Sequence, residues 1–317
     1  MKVSVISLLI VLLLSMAAAT FLGQVSLVGL GNDAWPILWD FRIPRVLFAA
    51  INGAILALAG VLYQLALRNP MADGFTTGAA SSAAFGGCLA LVLWGHAFLA
   101  SLLAIFFAGL GILIVLQVSR RTGDSARVTI ILAGIALSVV AGSGISFLKY
   151  FFEESLGTMV FWLMGGLSGA TFTKLGILGV VFCCTFAFLW RYRRHLALLF
   201  LDDQSAESSG VQVAKMRSFL FIATTILVAM SVSFCGVIGF LGLMVPHAVR
   251  ALIGHTIGVQ LICAPLMGAV ALVIFDLFSR VILPYGGELP VGIVTSVAGG
   301  VFFFILLTQK GGAIWKK

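Results

Sequence analysis

Charge is scarce in this chain. Asp, Glu, Lys and Arg make up 9% of its 317 residues, against about 25% in soluble domains, which is too little polar surface to cover a water-facing globule. Acid is the scarcer sign, with 11 Asp and Glu against 19 Lys and Arg and a net charge of +8. The four histidines, His96, His195, His247 and His255, form no His-Glu-x-x-His, so a zinc protease is excluded. Gly142-Ser143-Gly144 only superficially resembles a serine-protease element, and no histidine lies well inside a span at a matching depth. With no paired membrane aspartates either, the chain reads as a non-enzyme. It also lacks Gly-x-x-x-x-Gly-Lys-Ser/Thr, so it cannot itself cradle the phosphates of ATP. The five cysteines, including the neighbours Cys183 and Cys184, mostly sit in apolar runs without metal-ligand or redox spacing, and no metal site is expected. No Ser/Pro-rich linker or low-complexity tract divides the sequence, which predicts one membrane domain over 1–317.

What is present is hydrocarbon. Hydrophobic residues reach 61% and the mean hydropathy is +1.17. A spanning helix needs about 20 apolar residues. Breakers in the sequence mark ten candidates near 3–22, 46–67, 77–94, 97–118, 128–150, 175–190, 218–235, 237–250, 257–279 and 291–308, the third, sixth and eighth short or glycine-interrupted. Runs such as 219–232 show no period of two, which excludes a β-barrel and predicts an all-α polytopic fold. The segment 2–20 also fits a secretory signal, since Lys2, an apolar stretch and Ser15-Met16-Ala17-Ala18-Ala19-Thr20 have that order. Its removal would leave nine spans.

Basic residues near helix ends stay in the cytoplasm. An inner N-terminus places Lys2, Arg68, Arg120, Arg121, Arg127, Arg191, Arg193, Arg194, Lys215, Arg217, Arg250, Lys310, Lys316 and Lys317 inside, leaving Arg42, Arg45, Lys149, Lys174 and Arg280 at the outer edge. Both termini are then cytoplasmic. The same distribution accounts for the positive charge without nucleic acid, because no basic-aromatic stripe stands apart from the membrane.

Polar islands carry the functional signal. Arg42 and Arg45 flank Pro44 before the second span, and Arg280 follows Asp276 by one helical turn, where the two can pair. Outer arginines can anchor by snorkelling or hold the carboxylates of an external partner. Arg68-Asn69-Pro70-Met71-Ala72-Asp73-Gly74 reads as a helix stop and turn. The stretch 191–217 is the longest polar segment on the inner side, and Asp202 or Asp203 can cap a short helix that Gly210 ends. Its acids would face anionic lipid, which favours a protein partner over an interfacial helix. Thr76, Thr77, Ser81, Ser82, Ser138 and Ser143 are weakly polar candidates for a translocation path, each also able to bond back to its own helix.

Six strings, in order, carry a family resemblance: Arg42-Ile43-Pro44-Arg45; 53–60 followed by Gln64; Arg68 to Asp73; Phe161-Trp162-Leu163-Met164-Gly165; Gly239 to His247, including Pro246, with Arg250; and Glu288-Leu289-Pro290-Val291-Gly292. Together they resemble the FecCD-type permeases, membrane subunits of bacterial ABC importers for iron-siderophores, haem and vitamin B12. The resemblance implies a type II ABC importer permease fold with ten spans in the inner membrane. It further implies a second permease copy or paralogue with the path at the interface, and two ABC ATPase subunits that bind ATP and Mg. A periplasmic or lipoprotein substrate-binding protein would deliver an iron chelate, or alternatively haem, cobalamin or another metal complex. By the same resemblance, Arg42, Arg45 and Arg280 dock the binding protein, and Leu201, Asp202, Asp203, Ala206, Gly210 and Val211 fall on the ATPase-coupling loop, about 198–217. Asp202-Asp203 stands where Gly-Glu is usual, Ser209 where Leu is usual, and Gly74 where proline is common. Arg68, Asn69, Pro70, Asp73, Pro246, His247, Glu288 and Pro290 match motif positions without an assigned role. The rival class, an ATP-independent secondary transporter or channel, should carry intramembrane ionisable pairs, and only Asp276 with Arg280 approaches that.

Overall fold

The structure is a computed structural model that describes residues 2–23, 34–121, 126–283 and 287–309. Lys310, Lys316 and Lys317, counted above as inner charges, lie outside the described residues; Lys2 and Leu201 are described only by their places in the first and ninth helices. Every regular element among the described residues is helical. In order they are α1 (Lys2–Phe21), the single turn α2 (Ala34–Pro36) leading through a π-helical stretch into α3 (Ile43–Leu67), α4 (Ala79–Trp94), α5 (Ala97–Arg120), α6 (Ala126–Phe151), α7 (Leu156–Leu163), α8 (Phe172–Arg191), α9 (Arg193–Leu201), α10 (Asp203–Ser208), α11 (Val213–Cys235), α12 (Leu241–Leu252), α13 (Ile257–Val281) and α14 (Val291–Gln309).

Each of the ten sequence-predicted spans coincides with a helix, eight of them long and apolar enough to cross a bilayer. The sixth candidate extends to the 20 residues of α8. The third and eighth are the shorter apolar helices α4 and α12. At 1.5 Å per residue the 12 residues of α12 rise only about 18 Å, because the chain before it is unwound. Gly236 and Phe240 both have positive φ, 69° and 66°. A side chain at Gly236 would overlap the Trp162 carbonyl at the end of α7, so this break needs glycine for conformation and for space.

The centre of the bundle is α3, whose segment is 83% buried. Small residues bring its neighbours to backbone contact, the usual way membrane helices pack. A Cβ on Gly53 would overlap the Gly268 carbonyl of α13, and one on Gly60 the Gly242 carbonyl of α12. Among the buried polar groups of this helix is Asn52, whose Nδ2 donates to the Phe48 carbonyl at 2.8 Å and whose Oδ1 accepts from Ser231 Oγ of α11 at 2.8 Å. The outer helices contrast sharply, with α1 only 6%, α8 11%, α6 17% and α14 22% buried over their apolar windows. Uniformly apolar helices exposed to this degree require lipid or another apolar partner around them.

Candidate functional site

Arg45 and Arg68 stand at opposite ends of α3, about 35 Å of helix apart, and a charged cluster has formed at each end.

At the first end, Arg45 bridges two acids. Its Nε and Nη2 lie 3.0 Å from Asp276 Oδ1, and its Nη1 donates to Glu288 Oε2 at 2.8 Å. Asp276 also pairs with Arg280 one turn later, Nε to Oδ2 at 3.1 Å, the pairing expected from the spacing. Arg42 and Arg280 are buried and cap α1. Arg42 Nη1 donates to the carbonyls of Thr20 and Phe21, both at 3.1 Å, and Arg280 Nη2 to that of Ala19 at 3.0 Å. These three arginines were singled out in the sequence for an external partner. In the structure they make contacts within the chain, Arg42 and Arg280 supplying donors that the last carbonyls of α1 lack, and Arg45 and Arg280 neutralising Asp276, whose side chain is 1% exposed.

At the second end, α9 and α10 form the predicted helix-turn element. Asp202 caps α10, its Oδ1 accepting from the Ser205 amide at 2.6 Å and its Oδ2 from Ser205 Oγ at 2.5 Å. Those bonds hold the Asp202 carboxyl below the usual carboxylate range. Gly210, at φ 83°, ends the helix, with the Val211 amide donating to the Ala206 carbonyl at 2.9 Å. Of the sequence-predicted coupling residues, Ala206 and Val211 are buried and Asp203 is turned toward the bundle, while the outward face of α10 is Gln204, Glu207 and Ser208. The periodicity of a six-residue helix is too short to reveal this orientation.

The Asp203 carboxylate is surrounded by arginines from three spans. Arg217 Nη2 lies 2.6 and 2.7 Å from its two oxygens, Arg127 Nη2 bonds Oδ2, and Arg68 Nε is 3.8 Å from Oδ1. Arg68 Nη2 also donates to the Leu199 carbonyl at 3.4 Å. Three basic residues dispersed over 150 positions carry no local signal of such convergence.

Between the two ends, chain breaks meet around a cavity of about 610 Å³ lined by residues including Asp73, Thr76, Met164, Phe240, Gly292 and Ser296. Four of the six motif strings thus share one wall. The sequence reading expected weakly polar residues without fixed charge, and Asp73 departs from that; its Oδ1, however, accepts from its own loop, from the amides of Phe75 at 3.1 Å and Thr76 at 2.9 Å. Among the path candidates Thr76 lines the cavity, whereas Thr77 Oγ1 donates to the Asp73 carbonyl at 2.9 Å and Ser138 Oγ to that of Phe75 at 2.7 Å. Ser82 is buried, Ser81 half-buried and Ser143 exposed, away from the cavity lining.

The remaining motif residues make contacts within the chain. Asn69 Oδ1 accepts from the Met71 amide at 2.9 Å, closing the turn around Pro70. Arg250 Nη2 donates to Gln64 Oε1 at 2.7 Å, and Gln64 Nε2 to the Gly242 carbonyl at 3.2 Å, so two distant strings are joined. Pro246 is buried inside α12, His247 Nδ1 lies 2.8 Å from the Leu243 carbonyl, and the Pro290 carbonyl accepts from the Ile293 amide at 3.1 Å to start α14.

A bundle of apolar helices with chain breaks around a cavity and charged caps at both ends fits a polytopic membrane permease. The model of the FecCD transport family matches residues 3–309, and the chain belongs to that family. It is 34% identical over 277 residues to the "Probable iron chelatin transport system permease protein" of Helicobacter pylori, covering 87% of this chain and 83% of the relative. It is 34% identical over 288 residues to the hemin transport system permease protein of Yersinia pestis, covering 88% and 85%. Other relatives are named for cobalamin and molybdate import. A solved structure described as an inward-facing metal-chelate type ABC transporter superposes with a TM-score of 0.88 at 29% identity, covering 98% of this chain and 100% of that one. The protein is therefore an ABC importer permease, a non-enzymatic membrane component.

Proposed function

We propose that this permease moves an iron chelate across the bacterial inner membrane, receiving it from a periplasmic or lipoprotein binding protein and working with two ATPase subunits and a second permease copy or paralogue. The observation that carries the reading is the cavity where four motif strings meet. Its volume of about 610 Å³ suits a bulky ligand. Its one carboxylate is buried and accepts from the amides of its own loop, so it offers little free acceptor to trap a passing complex. The relatives named for iron chelatin, hemin and cobalamin support a metal complex as cargo, with haem, cobalamin or another metal complex as the alternatives within the same machine.

In this reading both termini are cytoplasmic, Arg42, Arg45 and Arg280 form the outer docking site, and α9 and α10 with their flanks, about 198–217, meet the ATPase. ATP and Mg are bound by that partner, not by this chain. The opposite placement of the two charged clusters along α3 supports the assignment. ATP binding would then shift an equilibrium between inward-open and outward-open states through differential contacts with α10.

Uptake into proteoliposomes holding the purified complex, its binding protein and internal ATP tests the reading. Radioactive iron supplied as a hydroxamate or catecholate chelate should accumulate only with ATP, and excess haem or cobalamin should not compete. Accumulation of haem or cobalamin instead would reassign the cargo, and accumulation without ATP or ATPase would return the secondary-transporter reading.

A further inference from the structure

We infer that Asp203 is the positioning residue that makes a displacement of α10 a displacement of the cavity wall; the inference rests on the importer reading above and deepens it. One carboxylate holds guanidiniums from the ends of α3, α6 and α11. Two of these lead directly to the cavity. Arg68 begins the short turn whose other end supplies Asp73 and Thr76 to the lining. Its own backbone is in the left-handed region at φ 48°, which side-chain-bearing residues adopt uncommonly, so the corner is held in a particular shape. Arg217 lies in the second turn of α11, which runs as one helix to Cys235, immediately before the unwound stretch whose Val237, Gly239 and Phe240 also line the cavity.

The charge count makes Asp203 the keystone. With it, three guanidiniums converge; without its charge they repel one another at short range. Ala206 and Val211 pack the inward side of the same element, leaving Gln204, Glu207 and Ser208 outward for a partner to push. A rigid tie between an outward-facing helix and two segments of cavity wall is a physical route for coupling, and its test is whether both ends respond together.

The experiment uses the complex with its co-purifying ATPase subunits in nanodiscs, in a background where the exposed Cys183 and Cys184 are replaced by serine. Ser296→Cys in the cavity wall is the reporter, read by its labelling rate with a water-soluble maleimide. Between nucleotide-free and Mg·ATP–vanadate states the parent rate should change about fivefold or more, within the usual range of allosteric coupling. Asp203→Asn should reduce that response to less than about twofold while the ATPase subunits still co-purify and hydrolyse ATP, and Asp203→Glu should restore it. A parental response in Asp203→Asn overturns the inference, as does loss of ATPase binding in that variant, which would make Asp203 a docking residue. If Asp203→Asn is not recovered from the membrane, Arg217→Gln interrogates the same tie from the other side, and a parental response there overturns it equally. A parent that co-purifies no ATPase overturns the importer reading, and this inference with it.

Discussion

Arg45 and Glu288, separated by 243 positions, meet at 2.8 Å, and the same guanidinium lies 3.0 Å from Asp276. The two acids differ in exposure: the Glu288 side chain is 42% exposed and that of Asp276 only 1%. Asp276→Ala leaves the buried Arg280 without its counter-charge and the half-buried Arg45 with Glu288 alone, and should cost about 3 kcal/mol. Glu288→Gln should cost less than about 1 kcal/mol, as exposed pairs do. Thermal unfolding of both variants in one detergent gives the order, and equal losses would show that burial does not control this cluster.

The same geometry changes how the docking role must be tested. Reversing Arg45 to glutamate would set a new carboxylate against Asp276. A change in binding-protein affinity in Arg42→Glu with Arg45→Glu therefore counts only if the thermal midpoint is retained. Under that condition the double variant should bind its binding protein at least about tenfold more weakly in a titration, since truncating buried interfacial charge pairs costs about 2–5 kcal/mol. Unchanged affinity would remove these residues from the docking surface.

Gly60→Ala should prevent proper packing of α3 on α12, because the added methyl overlaps the Gly242 carbonyl; overpacking costs about 1–3 kcal/mol even where side chains can yield. Gly179→Ala, with open space around it on α8, should be tolerated. The measurement is the folded yield of each variant by size-exclusion chromatography, and comparable yields would refute the close approach.

Gln64→Ala should cost about 1–3 kcal/mol, because it leaves the Arg250 guanidinium and the Gly242 carbonyl without the partner each has now. Gln64→Glu should be milder, retaining an acceptor for Arg250. A midpoint of Gln64→Ala within error of the parent would show that the link is not stabilising.

Asp202 sets a pH dependence. Its carboxyl is held below the usual range by Ser205, so its cap contributes fully above the ordinary carboxylate pKa and is lost as pH falls through the depressed folded value. Protease nicking between 198 and 217 should therefore increase in acid and in Asp202→Ala, but not in Asp202→Asn, which keeps an acceptor for the amide. Equal nicking in all three chains would show that the cap does not order the loop.

How much of this was legible in sequence follows from the range of each signal. Long apolar runs depend on composition alone, so α3, α5, α6, α11, α13 and α14 could be read directly. The pairing of Asp276 with Arg280 was equally accessible, because four residues is one helical turn. The break at 236–240 was blurred, since its residues are as apolar as a span and only the backbone angles of Gly236 and Phe240 reveal it. The encounters of Asp203 with Arg68, Arg127 and Arg217, and of Gln64 with Arg250, had no local trace. They depend on tertiary packing, and for Asp203 on which side of a six-residue helix faces the bundle. Asn52 could have been noticed, as an amide within an unbroken apolar helix demands a buried partner.

The capping of α1 has a bearing on biogenesis. Its final carbonyls are met by Arg42, which is synthesised soon after, and by Arg280, 261 residues beyond Ala19. Helix α1 is thus fastened in two stages, and until Arg280 is made it stands beside the growing bundle with one of its anchors still missing. Mistakes in the ninth span would then appear as a loose α1, far along the chain from the error.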